Sequence, residues 1–451
     1  MKKRILSIIL SLALIFGFAA IGTVTASAEE YGDFEYELLE GGTVEITDYQ
    51  GHESELIIPE TIDGKTVTAI GNSAFILCES LQQITIPGEV KEIGSSAFHG
   101  CSQLKSVVIP DGVTTIADEA FSNCISLKNV TLPNNLEVIY NGAFADCSSL
   151  ESISIPSSVK SIGNYAFNGC EFLNSVTFAD DSQLERVASD AFDYTGIYCD
   201  ESNWENRMLY IGNCLYSGKY MPYDIEDPDP DALEFAQGDI TVKTGTKVIA
   251  DGAFFGCTKL TGVTMPSSLT HIGSYAFYNC ENLGFVRLTD SVKAIGESAF
   301  CGCDSMKDIT VPDSVTEIGE YALGYTCGGL LHVIFFRIIC SENSAAEKYA
   351  IENEMYYRTT AFDYGDANND GAINMLDVLL IRKYIAKQPV TIDIVAADVT
   401  DDSKVNMLDV LLIRKYIAKQ PVMLGPKPNP PAVESPDVIE SPDIIETPEI
   451  L

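Results

Sequence analysis

Phenylalanine returns every 23 residues along this chain, at Phe75, Phe98, Phe121, Phe144 and Phe167, and the step resumes at Phe254, Phe277 and Phe300. Isoleucine keeps the same beat at Ile70, Ile93, Ile116, Ile139 and Ile162, then at Ile249, Ile272, Ile295 and Ile318. So does cysteine, at Cys78, Cys101, Cys124, Cys147 and Cys170, then Cys257, Cys280 and Cys303. A fixed period of this length means one unit stacked on copies of itself. A single unit has too little core to bury these side chains, whereas stacked units share a continuous one. Runs such as Ile84-Thr85-Ile86-Pro87 and Ile153-Ser154-Ile155-Pro156 open the units with a short strand. A turn, a second apolar pair and an inward Ala-Phe follow. The fold class expected is an α/β repeat solenoid with a 23-residue period.

The motif across 84–107, "ITIPGEVKEIGSSAFHGCSQLKSV", resembles the BspA-like leucine-rich repeat. The resemblance assigns residues 29–360 to one repeat domain, closed by a cap at about 341–360. Residues 200–239 break the rhythm with Trp204, "LYIGNCLYSGKY" and the acidic "DIEDPDPD", an insertion expected to form a hairpin and a surface loop. The chain has 13 Cys. Their ladder is expected to be reduced and buried, because a stack points equivalent side chains the same way. Neighbouring strands lie within disulfide reach, so pairing between rungs is the alternative. At the outward strand position stand Thr85, Val108, Thr131, Ser154 and Thr177, then Thr241, Thr264, Arg287 and Thr310. This hydroxyl ladder suits a protein or glycan ligand, and strand propensity alone would select the same residues.

The N-terminus carries an address. Lys2, Lys3 and Arg4 precede the apolar run 5–21, and Ala26-Ser27-Ala28 forms a small-x-small cleavage site. A cleaved signal peptide at 1–28 and an extracellular protein with no membrane span are expected. An uncleaved anchor is the alternative. With 28 basic and 65 acidic residues the net charge is −37. That balance excludes nucleic acid as a natural partner.

Chemical specificity concentrates near the C-terminus. Residues 366–377 read "DANNDGAINMLD" and 398–409 read "DVTDDSKVNMLD". Their oxygen-bearing residues have the spacing of an EF-hand-type calcium loop, and hard oxygen donors favour calcium. The first set is Asp366, Asn368, Asp370, Asn374 and Asp377 with the Ala372 carbonyl; Gly371 supplies the sharp turn. The second is Asp398, Thr400, Asp402, Asn406 and Asp409 with the Lys404 carbonyl. Two calcium ions are expected, the second site weakened by Ser403 in the glycine position and by Thr400. Each loop runs into the same 17 residues, "NMLDVLLIRKYIAKQPV", at 374–390 and 406–422. Leu379, Leu380, Tyr384 and Ile385 are expected to form the apolar face that packs the two helices together.

Two calcium loops, each followed by a helix, resemble a type I dockerin over residues 361–424. The resemblance implies docking onto a cohesin domain of a scaffoldin, as in cellulosomes that degrade plant polysaccharide. The recognition positions it implies are Met375, Leu376, Arg382, Lys383 and Lys387, repeated at Met407, Leu408, Arg414, Lys415 and Lys419. Residues 425–451 repeat E-S-P-D and are expected to form an extended Pro-rich tail. No nucleophile elbow, zincin or nucleotide-loop motif occurs. A non-catalytic binding subunit is therefore favoured over two alternatives, a free surface adhesin and a polysaccharide hydrolase with its site in the 200–239 insertion.

Overall fold

The computed structural model describes residues 29–220, 234–326, 333, 336–359, 365–368, 373–392, 394–400 and 404–420. The expected signal peptide 1–28, the acidic run 224–231 and the Pro-rich residues 425–451 lie outside them. The chain divides into two compact units, one comprising residues up to Ile338 together with Ser344–Met355, the other comprising Ile339–Asn343 and the chain from Tyr356 onward.

The first unit is a solenoid whose repeats each contribute two short strands and a turn. The opening strands pair in parallel at a step of 23: Ser106 aligns with Asn129, Val107 with Val130 and Val108 with Thr131. The second strands form their own parallel ladder, Ile116 beside Ile139, Ile162 and Val187. The side opposite the opening strands is a third ladder made of turns. There the amide of each Phe donates to the Ala carbonyl of the next repeat, as in Phe98 N to Ala120 O (2.8 Å), Phe121 N to Ala143 O (2.8 Å) and Phe144 N to Ala166 O (2.8 Å). Alanine suits that place because the turns approach closely and its methyl group is fully buried. The backbone is thus hydrogen-bonded between repeats on three sides, and the side chains between them form the core.

Phe75 through Phe192 stack face to face, with centroids 5.0–5.4 Å apart and planes within 10°. Each buried ring contributes about 1.5–3 kcal/mol by leaving water. The insertion joins this column: Tyr216 meets Phe192 edge-on at 5.7 Å, its hydroxyl bonded to Asp193 Oδ1 and the Ser189 carbonyl. Its strand Cys214–Ser217 pairs in parallel with Val248–Ile249 and so occupies a place in the stack. Arg186 reaches across to Asp251 at 2.7 Å, and the Asp251 amide donates to the Val187 carbonyl. The short helix α1 (Gly196–Cys199) lies just before this insertion. At the far end α2 (Ala345–Glu352) buries Ala346, Tyr349 and Ala350, and the Tyr349 hydroxyl accepts from Leu323 N at 3.1 Å.

No disulfide joins two of the described cysteines. Six of them donate to a Phe carbonyl one repeat back, for example Cys124 to Phe98 O (3.3 Å) and Cys147 to Phe121 O (3.2 Å). Burial pushes the Cys124 thiol up to about 12 and raises Cys101 and Cys147 as well. A thiol held neutral is a poor nucleophile. Alkylation of the native protein at about pH 8, read by mass spectrometry, is therefore expected to label the exposed Cys199 while Cys101, Cys124, Cys147 and Cys170 stay unlabelled until denaturant is added. Ladder cysteines that resist alkylation even in denaturant would reveal bridges instead.

Candidate metal loops and docking helices

The two C-terminal helices, α3 (Met375–Ile385) and α5 (Met407–Ile417), begin alike. Between them lies the short helix α4 (Ile394–Ala397). Asn374 caps α3 by accepting from Leu376 N at 2.8 Å, while Asp377 Oδ2 accepts from Asn374 N at 2.8 Å. Asn406 and Asp409 repeat both bonds in α5, each at 2.8 Å. This reciprocal cap satisfies amides that a helix start leaves open. It also fixes the helical phase by burying the carboxylate in the first turn.

Consequently the packed face is only partly the one hydropathy suggested. Val378 and Ile381 are buried against Val410 and Ile413, together with Ala367, Ala397 and Val399. Ile385 is packed at their edge and Leu380 is half-buried, but Leu379 and Tyr384 face outward. With Val378-Leu379-Leu380-Ile381 all apolar, composition cannot choose a side; the Asn–Asp cap does. Sequence reasoning also missed Ala367 and Val399, and Ile373 and Val405, which occupy matching second and eighth places in the two loops. Their signal was present: both loops are apolar at those two places.

The implied loop residues fall into four groups. Asp370, Gly371, Ala372, Asp402 and Ser403 lie outside the described residues. Asp366, Asp377, Asp398 and Asp409 are all buried, Asp377 and Asp409 completely. Asn374 and Asn406 spend their side-chain oxygens as caps, and the Asn406 amide donates to the Lys404 carbonyl at 3.1 Å. Asn368 and Thr400 sit beside the acids. Among the described residues no group of three or more His, Cys, Asp or Glu is placed to hold a metal ion. Each loop does bring two carboxylates together.

The loops differ in how those carboxylates are satisfied. In the first, Asp377 Oδ1 is buried with no hydrogen-bond partner among the described residues. Burial raises the Asp377 carboxyl above its ordinary value, and the charge of Asp366 adds to the rise. A buried, unpaired carboxylate oxygen beside a second carboxylate fits a hard cation. In the second loop the Thr400 hydroxyl lies between the acids, 3.1 Å from Asp398 Oδ1 and 3.0 Å from Asp409 Oδ1, and Thr400 N also donates to Asp409 Oδ1 at 3.1 Å. These acids are already partly satisfied, so this loop has less to gain from an ion.

Outside this core the helices expose one set of side chains twice. Met375 and Met407 are each 56% exposed, and Leu376 and Leu408 nearly as much. Leu379 with Tyr384, and Leu411 with Tyr416, continue the exposed apolar patch. Arg382 and Lys387, like Arg414 and Lys419, are exposed; Lys383 and Lys415 are half-buried. Both helices end on a left-handed lysine, Lys387 at φ 54° and Lys419 at φ 56°.

In the solenoid the outward strand residues are exposed as expected, from Thr85 to Thr310, with Val108 65% exposed among the hydroxyls. Trp204 is committed to packing: its Nε1 donates to the Tyr198 carbonyl at 3.0 Å and its ring meets Tyr198 edge-on.

A parallel-stranded repeat stack followed by a small unit of two carboxylate-headed helices defines a repeat solenoid with a two-helix C-terminal unit. The chain belongs to the BspA-type leucine-rich repeat family, whose model matches in six copies over residues 62–219 and 236–355, and it carries a dockerin type I domain, matched at 364–418. No curated protein matches it. Among solved structures it is similar to a leucine-rich cell surface protein of Faecalibacterium prausnitzii A2-165 (26% identity, 74% of this chain and 95% of that one, TM-score 0.28). It is also similar to a leucine-rich repeat protein of Bacteroides ovatus ATCC 8483 (22%, 73% and 99%, TM-score 0.34) and to the pneumococcal vaccine antigen PcpA (20%, 75% and 89%, TM-score 0.29). Type I dockerin domains bind calcium and imply a cohesin partner, and the repeats imply an interaction surface. Among the described residues no helix is long and apolar enough to cross a membrane.

Proposed function

We propose that this protein is a secreted, non-catalytic subunit that docks through residues 361–424 onto a scaffoldin cohesin in a polysaccharide-degrading complex, with the 29–360 solenoid as its protein- or glycan-recognising part. The observation that carries this is the duplicated exposed patch, Met375-Leu376 and Met407-Leu408, held by identical caps behind buried carboxylates. Methionine on an exposed helix start suits an adaptable protein contact. Calcium would be held by Asp366, Asn368, Asp370, Asp377 and the Ala372 carbonyl, and in the second loop by Asp398, Thr400, Asp402, Asp409 and the Lys404 carbonyl. It supplies charge neutralisation that lets these acids stay buried. Asn374 and Asn406, occupied as caps, support the loops from behind.

Cohesin capture tests the reading. The full-length chain is expected to bind an immobilised cohesin in calcium and to be released by chelator; no binding to any of a broad cohesin panel would refute docking. Charge adds a second readout. Residues 361–424 hold nine Asp against seven Lys and Arg, a net of −2 that two calcium ions would bring to +2. The rest of the chain without its leader carries −38. An acidic partner is expected, with an association rate that falls about tenfold as salt rises from low to physiological strength. A rate indifferent to salt would remove that electrostatic part.

A further inference from the structure

The turn side of the solenoid is interrupted by a trough of about 520 Å³ across the repeats from His99 to Asn168. Its cause is a local shortage of side-chain volume. The residue after the stacked Phe is bulky in some repeats, as in His99, Phe255 and Tyr278, but it is Ser122 and Ala145 in the two repeats between. Gly142, at φ 60°, deepens the same place; a Cβ there would meet Glu119 Cγ at 3.3 Å. The ledge therefore dips over Ser122, Gly142 and Ala145, with His99 at one end and Tyr165 and Asn168 at the other.

We propose that this trough is a binding subsite for a neutral saccharide. The lining excludes other classes in turn. It contains no Lys or Arg, while Asp118, Glu119 and Asp146 contribute carboxylates, so an anionic ligand is repelled. Those carboxylates are spread along the ledge, and no group of three metal-ligating side chains is placed to hold an ion among the described residues. An apolar ligand would leave the polar groups of the lining unpaired. An ammonium or guanidinium would use the carboxylates but offer nothing to the amide N–H groups of Asn123 and Asn168. Sugar hydroxyls both donate and accept, and so suit the whole set.

A further observation supports the same occupant. The Tyr165 side chain closes one end of the trough and is 54% exposed, an aromatic surface for the C–H face of a pyranose. The polar wall is also preorganised. Asp118 Oδ1 accepts from Asn141 N and Nδ2, both at 3.0 Å, and Asn141 Oδ1 accepts from Asn164 N at 2.9 Å. The volume lies within the roughly 300–1,000 Å³ of small-molecule clefts.

The proposal rests on the solenoid being the recognising part, but not on cohesin docking, which the capture assay reads separately. The test is isothermal titration of the full-length, calcium-loaded chain with cellohexaose, xylohexaose, mannohexaose and galactohexaose, and with tetralysine. At least one hexasaccharide is expected to bind with Kd of about 0.1–1 mM. Ala145→Tyr is expected to abolish that binding without lowering the thermal midpoint, because Tyr278 and Phe255 already fit the same register. Tyr165→Ala is expected to weaken it about tenfold. Hexasaccharide binding untouched by Ala145→Tyr would overturn the proposal, as would silence from all four sugars at about 5 mM. Tetralysine binding that Ala145→Tyr abolishes, with no sugar bound, would assign the trough to cations and overturn it equally.

Discussion

Chelation of calcium is expected to melt the C-terminal unit while leaving the solenoid folded. The unit has a small core, centred on Val378, Ile381, Val410 and Ile413, and it buries Asp366, Asp377, Asp398 and Asp409 beside that core. Buried carboxylates without a cation oppose folding by desolvation and by mutual repulsion. Calcium at about a thousand times its Kd would add about 4 kcal/mol to the unit, a large share of what so small a core supplies. In calorimetry of the full chain, chelator is expected to move one transition far downward and leave the larger one in place. Asp377→Ala is expected to do the same in calcium. It removes a loop carboxylate and the acceptor for Asn374 N, and loss of a cap alone costs about 1 kcal/mol. Asp409→Ala is expected to be milder for calcium, since Thr400 already bonds its Oδ1. Two transitions indifferent to chelator would contradict the calcium reading of both loops.

The parts of this molecule legible in sequence are those where one physical requirement recurs. Phe98, Ile93 and Cys101 fill a place that exists in every repeat, so periodicity identifies the core before any coordinate does. The outward Thr ladder follows from the two-residue alternation of a strand. The loop acids stand out in the sequence because they recur at matching places in two duplicated loops, and Asp366, Asp377, Asp398 and Asp409 are all buried. Illegible features depend on phase or on volume. The packed face of α3 is set by the Asn374–Asp377 cap within an almost uniformly apolar run, and hydropathy there pointed to Leu379 and Tyr384. Tyr216 joins the Phe column from an insertion of different period, so no spacing announces it. The trough at Ser122, Gly142 and Ala145 is a deficit of side chain, visible only once the register of neighbouring turns is known.

Exact duplication of α3 and α5 leads to a non-additive result. The two helices have the same sequence, the same cap geometry and nearly equal exposure at Met375 and Met407, and at Leu376 and Leu408. A cohesin groove complementary to one of these faces is complementary to the other. Arg382→Asp with Lys383→Asp alone is therefore expected to weaken binding only about twofold, the statistical loss of one of two equivalent faces. Arg414→Asp with Lys415→Asp alone should behave the same way. All four changes together should lower affinity by at least about a hundredfold, far beyond the product of the separate losses, because no intact face remains. Lys383 and Lys415 are half-buried, so thermal midpoints of each variant check that the effect is on docking and not on folding. The competing outcome comes from the difference between the loops. If Thr400 leaves the second loop too weakly metallated to order α5 for contact, the Arg382 pair would disable binding alone and the Arg414 pair would be silent. Calorimetric titration of the three variants against one cohesin distinguishes a pair of equivalent faces from a single face with a structural copy.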